Sequence, residues 1–121
     1  TGAEVCTVDG KPVVSLYSTT SCPHCSWVKG TFDSVVREYA DAGKIVAYHW
    51  ELDTRDNTLA DEIEISIPQS EVENYQSFSG GYVPAYSLGC KYVRVGNGHE
   101  PDLAAEEAEL RQMIDRLLEG S

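Results

Sequence analysis

Two thiols three residues apart, in Cys22-Pro23-His24-Cys25, are the residues of this chain best suited to chemistry. That spacing serves metal capture or thiol-disulfide exchange. A zinc knuckle needs a second Cys or His pair at matching spacing, and the sequence has none, so no metal is expected. A haem attachment needs His after the second cysteine, where Ser26 stands. Disulfide exchange remains, with Cys22 as nucleophile and Cys25 as the resolving thiol that attacks the mixed disulfide and releases the product. The exchanging pair is its own redox centre, so no cofactor is expected beyond a Cys22–Cys25 disulfide. His24, between the cysteines, is read as an electrostatic partner that stabilises a Cys22 thiolate.

Such a pair works only if the chain aims it. A helix N-terminus does this, because its unpaired N–H groups and positive dipole end favour a thiolate. The flanking sequence supplies one. Lys11 to Ser18 is rich in β-branched and aromatic residues and follows the turn-like Asp9-Gly10, predicting a buried strand. From Pro23, suited to a first helical turn, to about Asp41, the residues Val28, Phe32, Val35, Val36 and Tyr39 keep helical spacing, and Gly43 is a stop signal. Ile45 to Trp50 is a second strand, which makes a βαβ unit with parallel strands. Residues 54–69 read as an acidic insertion and 70–78 as a short helix. Strands at 85–88 and 91–95 are predicted to pair across a two-residue Gly89-Cys90 turn. Pro101-Asp102 opens a last helix with Leu103, Leu110, Met113, Ile114, Leu117 and Leu118 as one apolar stripe. Residues 1–121 make a single domain.

With this order of elements, Cys22-Pro23-His24-Cys25 and Val83-Pro84 make residues 11–119 resemble the thioredoxin superfamily. The tetrapeptide is similar to that of periplasmic disulfide oxidases, whereas the compact order resembles a minimal thioredoxin-type domain. The resemblance implies an α/β three-layer fold, a central mixed sheet with flanking helices. It also implies a cis bond at Pro84, with the Val83 backbone pairing with a substrate strand. The activity implied is thiol-disulfide oxidoreductase acting on protein thiols and disulfides, recycled by a redox partner, in either direction. Leu16 stands where thioredoxins carry a buried acid, and Gly30 where many carry a helix-kinking proline. His49 falls where a lysine neighbours that acid. It is read as a core or sheet-edge histidine, with a replacement proton relay as the alternative. The competing functional reading is a non-catalytic binding or metal-handling module that presents Trp27, Tyr82 and Tyr86 to a partner.

Within that topology Cys90 lies at the sheet edge opposite the dithiol, where the strand near Pro12 begins, so Cys6 is expected to reach it. A Cys6–Cys90 disulfide, preferred over two free thiols, closes a long loop and is worth about 4 kcal/mol. It implies an oxidising compartment: an extracytoplasmic location is expected, with the cytoplasm left open. No apolar run approaches the roughly 20 residues of a membrane span, and the Thr1-Gly2-Ala3-Glu4 start lacks signal-peptide character. A monomer without membrane insertion is expected, a removed leader or anchor being left open.

Charge narrows the partners further. With 121 residues, 20 acids and 9 bases, the net charge of −11 argues against nucleic acid and anionic membranes. The excess is concentrated: residues 51–73 hold eight acids and one base, and 100–119 hold seven and two. Both stretches are read as solvated faces, leaving the surroundings of Cys22 near neutral.

Overall fold

The computed structural model describes residues 7–54, 56–57, 59, 67, 69–89, 91–96 and 102–119. Along the chain run β1 (Thr7–Val8), β2 (Lys11–Ser18), α1 (Pro23–Asp41), β3 (Val46–Glu51), β4 (Asp56–Asn57), α2 (Gln69–Ser79), β5 (Ala85–Leu88), β6 (Tyr92–Val95) and α3 (Leu103–Glu119). Asp9 and Gly10, at φ 54° and 78°, form the left-handed two-residue turn that folds β1 onto β2. α1 starts at Pro23 and runs through Gly30 without interruption until Ala42 caps it ahead of Gly43, whose φ is 76°.

The main sheet has the order β4-β3-β2-β5-β6, with β1 paired to β2. β2 and β3 are parallel, as a strand-helix-strand unit demands, placing Leu16 beside His49 and Ser18 beside Glu51. The other four pairings are antiparallel. The expected thioredoxin-like three-layer fold around a central mixed sheet is therefore corrected: antiparallel pairing dominates, and five strands curl into a half-barrel accompanied by three helices. The physical reason lies in the connections. One helical crossover dictates one parallel ladder, the tight reversals after β1, β3 and β5 make three antiparallel ones, and the return of the chain through α2 sets β5 antiparallel to β2. Short strands twist strongly and curl the sheet.

The β5–β6 turn is also corrected. Leu88 pairs with Tyr92, so three residues, not two, make the connection, with Gly89 at φ 62° and the Lys91 N–H donating to the Leu88 carbonyl. Cys6, Cys90 and most of the 54–69 segment lie outside the described residues.

Alternation along β2 divides the interior. Val14 and Leu16 join Val28, Phe32, Val35 and Val36 of α1 and Leu110, Ile114 and Leu117 of α3. Tyr17 turns instead toward Trp50, Tyr75 and Ala85 beside α2. Leu103, counted in the apolar stripe of α3, is exposed. The solvated-face reading fails at two acids. Glu106 is only 2% exposed, held by Arg94 Nη2 at 2.6 Å. Glu71 Oε1 accepts from Ser15 Oγ at 2.9 Å and Trp50 Nε1 at 3.0 Å, fastening α2 to the sheet.

Candidate functional site

β2 ends at Ser18, and the chain turns through Thr19 to Ser21 before entering α1. Thr20 donates its N–H and hydroxyl to the Asp53 carboxylate beyond β3, and this holds the carboxyl below its usual range. The loop is thereby tied to the adjoining strand end. Cys22 follows as the N-cap in extended conformation, with φ −89° and ψ 111°, and Pro23 fits the first turn because it has no N–H to leave unpaired.

The cap is a sulfur. Cys25 N–H donates to Cys22 Sγ at 3.1 Å, so a backbone donor of the first helical turn points at the nucleophile candidate. Cys22 is partly exposed, while Cys25 is buried at 2% exposure; both are thiols here. Burial, reinforced by the hydrogen bond with Cys22, pushes the Cys25 thiol up to about 12. Charge is disfavoured at Cys25. His24 sits exposed on the same turn.

Across from Cys22 the Val83–Pro84 bond is cis, and the Val83 carbonyl lies 3.9 Å from Cys22 Sγ. Among the bonds that hold this loop, Tyr75 OH donates to the Tyr82 carbonyl at 3.1 Å, and Gly96 N–H to the Pro84 carbonyl at 2.7 Å. The residues of the dithiol and of the Val83-Pro84 pair thus meet at one place. Trp27, Tyr82 and Tyr86 do not make a common surface. Trp27 packs partly buried against the α1 core, Tyr82 is 71% exposed, and Tyr86 is buried beneath the Arg94 guanidinium.

On the other side of Cys25 a cleft of about 240 Å³ is lined by Ser18, Thr19, Thr20, Cys25, Ser26, Lys29 and Glu51. Lys29 Nζ stands 3.8 Å from Glu51 Oε2. Behind it lies an array of which sequence reasoning singled out only His49, read there as a core or sheet-edge histidine. Ser18 Oγ is 2.7 Å from His49 Nε2, and His49 Nδ1 is 2.8 Å from Asp33 Oδ1. His49 is fully buried with both ring nitrogens bonded, and its backbone N–H donates to Asn57 Oδ1 at 2.9 Å. Ser18 carried one usable signal, its place at the strand end just ahead of the cysteine pair. Asp33 carried none.

Among the described residues no group of three His, Cys, Asp or Glu is arranged to hold a metal ion, and no helix is long and apolar enough to cross a membrane. Compared with known proteins, the sequence matches neither a protein family nor a curated relative.

Proposed function

We propose that the chain is a thiol-disulfide oxidoreductase acting on protein thiols and disulfides through Cys22 and Cys25. The observation that carries this reading is the asymmetry of the pair: a helix-capping Cys22 sulfur that accepts the Cys25 N–H, beside a buried Cys25 thiol pushed up to about 12. One sulfur is presented to substrate and the other is kept in reserve. The resemblance of Cys-Pro-His-Cys to disulfide-oxidase active sites supports the same chemistry.

In the reducing direction the Cys22 thiolate attacks one sulfur of a substrate disulfide. That bond breaks, the first substrate thiolate leaves, and a mixed disulfide remains on Cys22. Cys25 then loses its proton and attacks Cys22 Sγ, forming the Cys22–Cys25 bond and expelling the second substrate thiolate, which takes up a proton. Two electrons pass from the dithiol to the substrate, and an external dithiol restores the pair. Oxidation of substrate is the reverse sequence, restored by an external disulfide. On this reading the Val83 carbonyl, 3.9 Å from Cys22 Sγ, would accept from an extended substrate backbone and hold the substrate sulfur in line with Cys22.

Alkylation and trapping test the reading. At neutral pH, iodoacetamide should modify Cys22 of the reduced chain and spare Cys25. Cys25→Ser should accumulate a mixed disulfide on Cys22 with a disulfide-bonded protein substrate, and Cys22→Ser should exchange nothing. Equal alkylation of both thiols, or a Cys25→Ser chain that traps no substrate, overturns the reading.

A further inference from the structure

We propose that Ser18, His49 and Asp33 form a proton relay that serves the Cys25 thiol through the cleft lined by both Ser18 and Cys25. The inference rests on the exchange reading above and assigns a role to three residues outside the cysteine motif. The resolving step needs Cys25 as a thiolate, yet Cys25 is a buried thiol in which charge is disfavoured. Its proton therefore needs a destination.

The geometry supplies one. Asp33 Oδ1 as acceptor fixes a proton on His49 Nδ1, so Nε2 of the neutral ring accepts from the Ser18 hydroxyl. Ser18 contributes to the cleft wall, so the chain of bonds reaches a space shared with Cys25 instead of ending in the core. A cleft of about 240 Å³ has room for bridging water.

A proton leaving Cys25 passes to such a water and then, by hydroxyl exchange at Ser18, to His49. The resulting imidazolium is paired with Asp33. The Cys25 thiolate bonds to Cys22 Sγ, the bond from Cys22 to the substrate sulfur breaks, and that sulfur leaves with the electron pair. His49 then gives the proton back through Ser18 to the cleft water and on to the departing substrate thiolate, which leaves as a thiol. The other charged groups facing the path are Lys29 and Glu51 on the cleft wall, and the Phe32 ring edge closes His49 from the α1 side.

The same order of residues activates serine nucleophiles in hydrolases, but here His49 is 0% exposed and its Nε2 is held by Ser18. It has no access to a leaving group in the cleft. The array is suited to moving protons and not to acyl transfer.

The test loads Cys22 of the full chain with thionitrobenzoate as a mixed disulfide and follows its release by Cys25 as a function of pH. Ser18→Ala should slow release about 100-fold near neutral pH, the scale of general acid-base catalysis, and converge on the unsubstituted chain as alkaline pH ionises Cys25 unaided. Ser18→Thr, which keeps the hydroxyl, should restore most of the rate. Equal rates for Ser18→Ala and the unsubstituted chain at neutral pH overturn the relay and leave the exchange reading standing. A slowing that is the same at every pH also overturns it, because a packing defect has no reason to fade with alkali. Failure of the unsubstituted chain to release thionitrobenzoate overturns the exchange reading itself, and the relay with it.

Discussion

Two backbone features converge on the Cys22 sulfur, the Cys25 N–H that donates to it and the N-terminal end of α1, and His24 follows on the same turn. The first two belong to the backbone and survive any side-chain change. His24 is the adjustable part. On the exchange reading, a histidine here that stabilises the Cys22 sulfur anion favours the dithiol form, because only that form carries the anion, and so makes the disulfide a stronger oxidant. His24→Ala should lower the reduction potential by about 20 to 30 mV, the equivalent of roughly 1 kcal/mol. Equilibration with glutathione buffers of known potential checks the sign. The cysteine pair was legible in the sequence because everything that makes it reactive is local. Of the Ser18, His49 and Asp33 array only His49 was legible, and its partners were not, because the hydrogen bonds join residues 31 and 16 positions apart.

Elements are joined here by acids that are wholly or partly withdrawn from solvent, Glu106 buried and Glu71 half-buried. Glu71 lies in a run of acids and reads as part of a solvated face. Its position in the first turn of α2 brings it over the side of the sheet where Ser15 and Trp50 point, and one carboxylate oxygen serves both donors. Tyr17 OH approaches the same oxygen at 3.4 Å, and Asn74, one turn further along α2, donates to Tyr17 OH and Ser87 Oγ. Removing the acceptor leaves donors in the interior without a partner. Glu71→Ala should destabilise the chain by about 2 to 3 kcal/mol, while Glu71→Gln, which keeps a carbonyl oxygen, should recover at least half of the loss. Urea unfolding followed by tryptophan fluorescence measures both, and Trp50 reports directly on the lost bond. Glu106 shows the same pattern on α3, where Arg94 from β6 reaches both it and Glu109. Burial of such acids depends on partners distant in the chain, and charge runs alone cannot reveal it.

For the molecule as a whole, strands and helices followed from hydrophobic period and turn residues, and β2, α1 and β5 begin and end where the sequence placed them. The fold class did not follow. The three-layer expectation came with the resemblance carried by Cys22-Pro23-His24-Cys25 and Val83-Pro84, whereas the overall form depends on the short antiparallel pairings and the curl they impose, including the two-residue strands β1 and β4 that carry almost no periodic signal. The resulting interior holds neutral acids that would rather not ionise, and stability must depend on pH accordingly. Cys25 rises from an ordinary 9.0 to about 12, and burial pushes the Tyr17 and Tyr86 hydroxyls above their ordinary 10.0. Between the unfolded and folded values of such a group the unfolded chain binds fewer protons than the folded one, so unfolding free energy falls as pH rises. The Cys25 contribution is intact below about pH 9 and is lost on the way to about 12. Reduced protein should therefore begin to lose stability near pH 9. Cys25→Ala, and the chain oxidised to the Cys22–Cys25 disulfide, should hold until the tyrosines contribute near pH 10. Urea midpoints for the three forms across about pH 8 to 11 separate these limbs. If all three decline in parallel from the same pH, the thiol is not the group responsible, and burial of Cys25 is not what keeps it protonated.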